Sequence, residues 1–113
     1  MSDADIMDKT NHSVNIMNTN MYEKLSQENP SKYMKTPTVL NLDNDGDGTH
    51  WVAIKPNKEY SDNSKVKILD YHDSFGVIPP FHIKNTIIQY NPYVEQKRKE
   101  NDCGERAINF LRK

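Results

Sequence analysis

The stretch HWVAIK, residues 50–55, has the composition of a buried β-strand and follows a loop rich in Asp, Asn and Gly. The run TVLNL, residues 38–42, also has strand composition, and the apolar positions between residues 66 and 71 indicate a third strand. Because residues 56–64 are polar and turn-like, we expect the second and third of these strands to pair as an antiparallel hairpin.

The remaining apolar segments predict helices on this sheet. Isoleucines at positions 83, 87 and 88 recur at helical spacing, so a helix is predicted over residues 81–88, after two prolines that its first turn can tolerate. We expect a short strand near residues 93–96 and a final helix from Cys103, with one apolar stripe between residues 107 and 111. The order predicts an α+β domain, a small antiparallel sheet backed by helices.

The length and composition limit the organisation to one domain. The chain has 113 residues, which allows one small core. Residues 1–35 are rich in Asn, Ser, Asp and Met with little periodicity beyond a short helical stretch near Met21. We interpret them as a polar, mobile N-terminal arm or a degraded first subdomain. Residues 36–113 are expected to form the compact domain.

Charge and targeting features exclude several classes of partner. With 15 basic and 16 acidic residues, the chain has no overall attraction to nucleic acid or to an acidic membrane. No stretch approaches the roughly 18 apolar residues of a membrane span, and the acidic start lacks the features of a signal peptide. A single cysteine allows no internal disulfide. We expect a soluble, intracellular monomer.

The residues NDCGE, 101–105, read as a helix N-cap followed by the first turn. Asp102 can cap the helix, and Glu105 three residues later completes a box-like arrangement. Cys103 then takes the first helical position, where unpaired N–H groups and the helix dipole favour a thiolate. Gly104 lets a substrate backbone approach closely. Cys103 is therefore a candidate nucleophile.

A thiol with an ordinary pKa near 8.5 needs a histidine within hydrogen-bond reach at neutral pH. His12 lies in the polar arm and His82 in the predicted helix, whereas His50 opens a strand after a loop, where a side chain can face a cleft. His72 is next to Asp73, but adjacent strand residues point to opposite faces and cannot orient one another. His50 is the better candidate for the base.

Two aspartates on the following strand, Asp70 and Asp73, could orient the histidine. Three residues apart on a regular strand, they face opposite sides of the sheet, and spacing alone does not say which one faces His50. Gln96 lies seven positions before Cys103 and offers an amide donor suited to stabilising the oxyanion of a tetrahedral intermediate.

These motifs together resemble a known family of cysteine peptidases. The motifs are GTHWVAI at 48–54, YHDSFG at 71–76 with two prolines at 79–80, Gln96, and Cys103 with Gly104. In this order they are similar to the adenovirus protease (adenain) family, which includes ubiquitin-like-specific proteases and adenain-like proteases of large DNA viruses and virophages. The resemblance covers about residues 39–111 and implies the circularly rearranged papain-like fold, with the nucleophile at the N-terminus of the last helix.

The resemblance implies a role for each motif residue and favours Asp73 over Asp70. The implied roles are base for His50, orienting acid for Asp73, oxyanion donor for Gln96, nucleophile for Cys103 and substrate contacts for Trp51 and Gly104. The implied function is a cysteine endopeptidase that cleaves viral precursor proteins at glycine-containing motifs, in host cytoplasm, nucleus or virion. An activating peptide or DNA is a further partner that the family suggests.

Two other functions stay open. The same residues could remove ubiquitin or a ubiquitin-like modifier. A catalytically inactive protein-binding module or fragment is the other alternative, because Glu105 and Arg106 follow Cys-Gly where relatives carry aromatic or small residues, and because the sequence stops soon after the last helix.

No metal or cofactor is expected. The loop DNDGDG, residues 43–48, opens like an EF-hand calcium loop, but the twelfth position counted from Asp43 is Ile54 rather than Glu, and a strand follows. The four histidines and one cysteine offer no zinc-ligand spacing. We interpret the loop as a solvated turn before His50.

Overall fold

The computed structural model of the chain describes residues 3–42, 50–57, 68–74, 76, 78–91 and 103–112. They form a small α+β domain with one five-stranded mixed sheet and helices packed on it, as the sequence predicts at the level of class. In chain order the elements are α1 (Asp3–Lys9), β1 (Asn15–Asn18), α2 (Thr19–Glu28), α3 (Pro30–Tyr33), β2 (Thr38–Asn41), β3 (Trp51–Pro56), β4 (Ile68–His72), β5 (Ile87–Tyr90) and α4 (Cys103–Leu111).

The strands lie across the sheet in chain order, from β1 to β5. β3 pairs antiparallel with both β2 and β4, whereas β1 and β5 pair in parallel with their neighbours. The prediction of an antiparallel sheet is therefore confirmed for the three central strands and wrong for the two outer ones. A parallel pair needs a crossover connection, and the segment with α2 and α3 supplies it between β1 and β2.

Alternate residues of the central strands enter two apolar cores, one on each face of the sheet. The α2-side core contains Tyr22, Met34, Leu40, Val52, Ile54, Leu69, Tyr71, Phe81 and Ile83. The α4-side core contains Ile6, Val14, Val39, Trp51, Ala53, Ala107 and Ile108. Strand β3 is thus covered on both faces, which explains why its sequence is a continuous apolar run rather than an alternating one.

The described residues before position 35 contribute to both cores. Ile6 of α1 and Tyr22 of α2 are almost fully buried, and β1 pairs with β2. α2 begins where Asn18 Oδ1 accepts a hydrogen bond from the Met21 N–H at 2.7 Å, an N-cap that satisfies one of the helix's first donors. The helical stretch predicted near Met21 is therefore part of α2, between β1 and β2.

The helix predicted over residues 81–88 is wrong, because residues 81–86 form no helix and β5 begins at Ile87. Asn85 has a φ of 64°, outside the range of a right-handed helix. Ile83 is buried whereas Ile87 is 62% exposed, so the isoleucines do not share one face. The β-branched run from Thr86 to Ile88 favours a strand instead. The strand expected near residues 93–96 lies outside the described residues.

Two tyrosines are buried on either side of Phe81 in the α2-side core. The rings of Tyr22 and Tyr71 meet Phe81 edge to face, with centroids 5.7 and 6.0 Å from it. Burial raises the pKa of both hydroxyls above the ordinary value, and the negative charge of Asp73 raises that of Tyr71 further. The folded chain therefore holds these protons more tightly than the unfolded chain does.

This difference predicts a loss of stability at alkaline pH. An unfolded tyrosine releases its proton near pH 10, whereas the buried one keeps it, so the free energy of unfolding should fall above pH 10 by about 1.4 kcal/mol per pH unit for each such tyrosine. Below pH 10 the folded and unfolded chains both keep the tyrosine proton, so the full contribution of the buried tyrosine to the free energy of unfolding is present. Urea unfolding of wild type and Tyr71→Phe between pH 8 and pH 11 measures the effect.

At pH 8 the free energy of unfolding of Tyr71→Phe should be close to that of wild type, because no hydrogen-bond partner of the Tyr71 hydroxyl lies among the described residues. At pH 11 it should be higher than that of wild type. The matched control is Tyr90→Phe, since Tyr90 is 42% exposed and should show no such crossover. Equal pH dependence of wild type and Tyr71→Phe would contradict the burial of this hydroxyl.

Candidate active site

His50 lies directly before β3, where the ladder with β2 still fixes its backbone. Its carbonyl oxygen accepts a hydrogen bond from the Leu42 N–H at 3.0 Å, which extends the pairing by one residue beyond β2. The His50 side chain is 19% exposed. The backbone is therefore held by the sheet while the imidazole keeps access to solvent, as a catalytic base requires.

Asp73 lies directly after β4 and meets the His50 ring. The register pairs Ala53 with His72, so Asp73 falls opposite Val52, two residues from His50 and on the same face by strand alternation. Asp73 Oδ1 lies 2.7 Å from His50 Nε2, and Asp73 is 1% exposed. The structure thus brings these two predicted residues together across the ends of adjacent strands.

The chemistry of this contact sets the tautomer of His50. An ionised carboxylate can only accept, so Nε2 donates its hydrogen to Asp73. In the neutral ring the lone pair is then on Nδ1, which becomes the atom that can take a proton from a nucleophile. A buried carboxylate also stabilises the positive charge of the ring once that proton has been taken.

Asp70, the alternative that the spacing left open, lies on the other face of β4. It pairs in register with Lys55, and its Oδ1 accepts a hydrogen bond from Asn57 Nδ2 at 3.3 Å. Strand alternation puts it on the side of α4, away from the face that Asp73 shares with His50. Asp73, rather than Asp70, therefore contacts the histidine.

The other histidines have different surroundings. His72 is buried, and its ring stacks on Phe110 of α4 with centroids 5.0 Å apart and an interplanar angle of 18°. This is the face opposite to that of Asp73, as expected for neighbours in a strand. His12 and His82 are exposed.

Helix α4 begins at Cys103 and packs along β3 on the α4-side core. At its C-terminal end, Lys55 Nζ donates to the carbonyl oxygen of Phe110 at 3.1 Å and lies 4.7 Å from the centre of its ring. The last turn of α4 is therefore at the end of β3 that lies farther from His50. Cys103 precedes the buried Ala107 by about one helical turn.

Both ends of α4 are also tied to α1. Glu105 forms an ion pair with Lys9, and Arg112 donates from its guanidinium to the Lys9 carbonyl oxygen at 2.6 Å. Glu105, which differs from the residues expected after Cys-Gly from the resemblance to adenain, has a partner in α1. An exposed pair of this kind contributes little stability, about 0–1 kcal/mol, but it helps to fix the orientation of α4.

The structure describes only part of the remaining predicted site. Gln96, Asp102 and the side chain of Cys103 lie outside the described residues, as does the loop over residues 43–48. Gly104 is buried. Trp51, expected to contact substrate, is 3% exposed and packs in the α4-side core, where it helps to hold α4 on β3.

Sequence reasoning missed Asn91, whose side chain makes two hydrogen bonds to the backbone of Asp73. The residue follows β5, where a helix was predicted to end, and a lone Asn after a helix has no evident partner. The β-propensity of residues 86–90 indicates a strand that ends before Asn91, but no local signal places that strand beside β4.

Comparison with protein-family models, with curated proteins and with solved structures found no match to this chain. Within the described ranges, no three His, Cys, Asp or Glu side chains are grouped so that they could hold a metal ion. No helix in that part of the chain is long and apolar enough to cross a membrane.

The His50–Asp73 contact predicts a distinctive signal in proton NMR spectra. The Nε2–H proton of His50 should resonate downfield and exchange slowly with water, because a charge-assisted hydrogen bond is roughly twice as strong as a neutral one. Asp73→Asn keeps the shape but removes the charge, so the signal should move upfield and exchange faster.

Asp70→Asn is the matched control, since it makes the same substitution on the other face of β4 and should leave the signal unchanged. A wild-type spectrum without a protected His50 proton, or an equal response to the two substitutions, would show that Asp73 does not hold the ring.

Proposed function

We propose that this chain is a cysteine peptidase in which Cys103 is the nucleophile, His50 the base and Asp73 the acid that orients it, with Gln96 as oxyanion donor. The observation that carries the proposal is the 2.7 Å contact between His50 Nε2 and the buried Asp73 carboxylate at the ends of adjacent strands. The papain-like arrangement of the domain belongs to the same proposal, and the order of His50, Asp73 and Cys103 along β3, β4 and α4 supports it.

The His50–Asp73 pair supports the proposal because a thiol peptidase needs such a base. A free thiol with a pKa near 8.5 is mostly protonated at neutral pH, and a histidine held in one tautomer can take the proton. With Nε2 bound to Asp73, the acceptor is Nδ1. The resulting imidazolium stays in contact with the Asp73 carboxylate, whose negative charge interacts favourably with it.

The start of α4 gives a second reason to propose Cys103 as the nucleophile. The first turn of a helix carries unpaired N–H groups and the positive end of the dipole, and both favour a thiolate. α4 is a helix of 9 residues that begins at Cys103. It packs on the face of β3 opposite to the one that His50 and Asp73 share, with its last turn at the end of β3 farther from His50 and its first turn toward the His50 end. The same N–H groups, with the Gln96 amide, would stabilise an oxyanion.

In the proposed reaction, the Cys103 thiolate attacks the scissile carbonyl carbon and the oxygen becomes an oxyanion. The His50 imidazolium then gives its proton to the leaving amine as the carbon–nitrogen bond breaks, which leaves a thioester. His50, neutral again, takes a proton from water, which attacks the thioester; the carbon–sulfur bond breaks and releases the carboxylic acid and the Cys103 thiolate beside the His50 imidazolium. Asp73 keeps the ring oriented throughout.

The substrates that we propose are precursor proteins with glycine-containing cleavage motifs, from the resemblance to adenain. Conjugates of ubiquitin or a ubiquitin-like modifier are the alternative substrates, since their cleavage uses the same residues. Both are proteins, so the proposed chemical step is hydrolysis of an amide bond after a small residue.

The experiment compares cleavage of glycine-containing peptides with cleavage of ubiquitin-like fusions by the full chain. We expect turnover of the glycine-containing peptides and its complete loss in Cys103→Ala. His50→Ala should lower kcat/KM by about 10²–10⁴-fold, the usual contribution of general acid–base catalysis. His82→Ala is the matched control, because His82 is exposed, and it should leave turnover unchanged.

Equal rates for wild type and Cys103→Ala on both substrate classes would overturn the peptidase proposal and favour an inactive binding module. Cleavage of the fusions alone would keep the mechanism and move the substrate class to modifier conjugates.

A further inference from the structure

Asn91 contacts both polar groups of the Asp73 backbone. Its Oδ1 accepts the Asp73 N–H at 2.9 Å, and its Nδ2 donates to the Asp73 carbonyl oxygen at 2.6 Å. Because an N–H can only donate and a carbonyl can only accept, this pair of bonds also fixes which way the Asn91 amide points. The two residues are 18 positions apart, so this is a tertiary contact rather than a local turn.

The contact extends the pairing of β4 with β5 beyond the end of both strands. The parallel register reaches Tyr71 and Tyr90, β4 ends at His72, and Asp73 comes next. A side-chain amide carries the same donor and acceptor as a peptide group, so Asn91 takes the place of one more paired residue. The Asp73 backbone is therefore hydrogen-bonded as it would be to a neighbouring strand, although Asp73 lies outside β4.

A turn supports the same residue from the other side. The Gly76 N–H donates to the Asp73 carbonyl oxygen at 2.8 Å, and Gly76 has a φ of 69°, which glycine adopts without steric cost. The Gly76 N–H bonds only to the Asp73 carbonyl oxygen, whereas the Asn91 amide bonds to both the N–H and the carbonyl oxygen of Asp73. Asn91 is thus placed to prevent rotation of the Asp73 backbone.

We propose that Asn91 is a positioning residue for the catalytic pair, which holds Asp73 so that its Oδ1 stays on His50 Nε2. The inference rests on the proposed function for its effect on turnover, but not for its effect on the His50–Asp73 bond. Catalytic groups must be held within about half an ångström of the productive geometry, and a displacement of 1 Å can lower a rate by about 10²-fold.

The first readout is the exchange of the His50 Nε2–H proton with water, in wild type, Asn91→Ala and Asn91→Gln. Asn91→Ala removes both bonds to Asp73, and the exchange should become several-fold faster. Asn91→Gln keeps the amide on a longer side chain and should give an intermediate rate, and it serves as the test if the alanine variant does not fold.

The second readout is the kinetics of peptide cleavage by the same proteins. We expect kcat of Asn91→Ala to fall on the order of 10-fold to 100-fold, with KM unchanged, because Asn91 is proposed to act through Asp73 and not through the substrate. Asn91→Gln should recover part of the loss.

Asn18→Ala is the matched control. It removes a side-chain hydrogen bond of similar length, 2.7 Å to the Met21 N–H at the start of α2. A merely structural role of Asn91 would make its alanine variant resemble Asn18→Ala, with a lower melting temperature but wild-type proton exchange and kcat, and this result would overturn the inference.

Failure of the proposed function gives a different result. In that case wild type and Cys103→Ala are equally inactive, and the exchange rates alone decide the role of Asn91. Faster exchange in Asn91→Ala than in Asn18→Ala would still support Asn91 as the residue that holds Asp73, whereas equal exchange would overturn it.

Discussion

The antiparallel pairing of β3 with β4 is the constraint on which the candidate site depends. It aligns the start of one strand with the end of the other, so that His50 and Asp73 meet although 23 residues separate them. A slip of one residue would move the Asp73 carboxylate to the opposite face of the sheet and break the contact. The burial of β3 on both faces makes such a slip costly, because each strand residue from Trp51 to Ile54 lies in a packed core.

The α4-side core connects this pair to the helix that begins with Cys103. Trp51 directly follows His50 and packs with α4, so the residue that anchors the helix is the neighbour of the proposed base. Lys55 contacts the last turn of α4, and Lys9 contacts Glu105 in its first turn and Arg112 directly after its end. The orientation of α4 therefore depends on β3 and α1 together, which gives the N-terminal residues a part in the site.

Much of this arrangement could be predicted from the sequence. The three central strands are short apolar runs bounded by turn residues, and the faces of Asp70, His72 and Asp73 follow from strand alternation alone. The predicted helix over residues 81–88 is wrong because the spacing of three isoleucines also fits a buried residue before a strand, Ile83, followed by a strand that begins at the exposed Ile87. The role of Asn91 could not be foreseen, since it depends on the parallel pairing of β4 with β5, which no local signal specifies.

If His50, oriented by Asp73, holds Cys103 as a thiolate, the alkylation rate of that thiol measured as a function of pH will show it. Cys103 is the only cysteine in the sequence, so the signal belongs to one residue. We expect rapid alkylation of wild type that persists well below pH 7 and is lost in His50→Ala. Rates that follow an ordinary thiol with a pKa near 8.5 in both proteins would contradict this expectation.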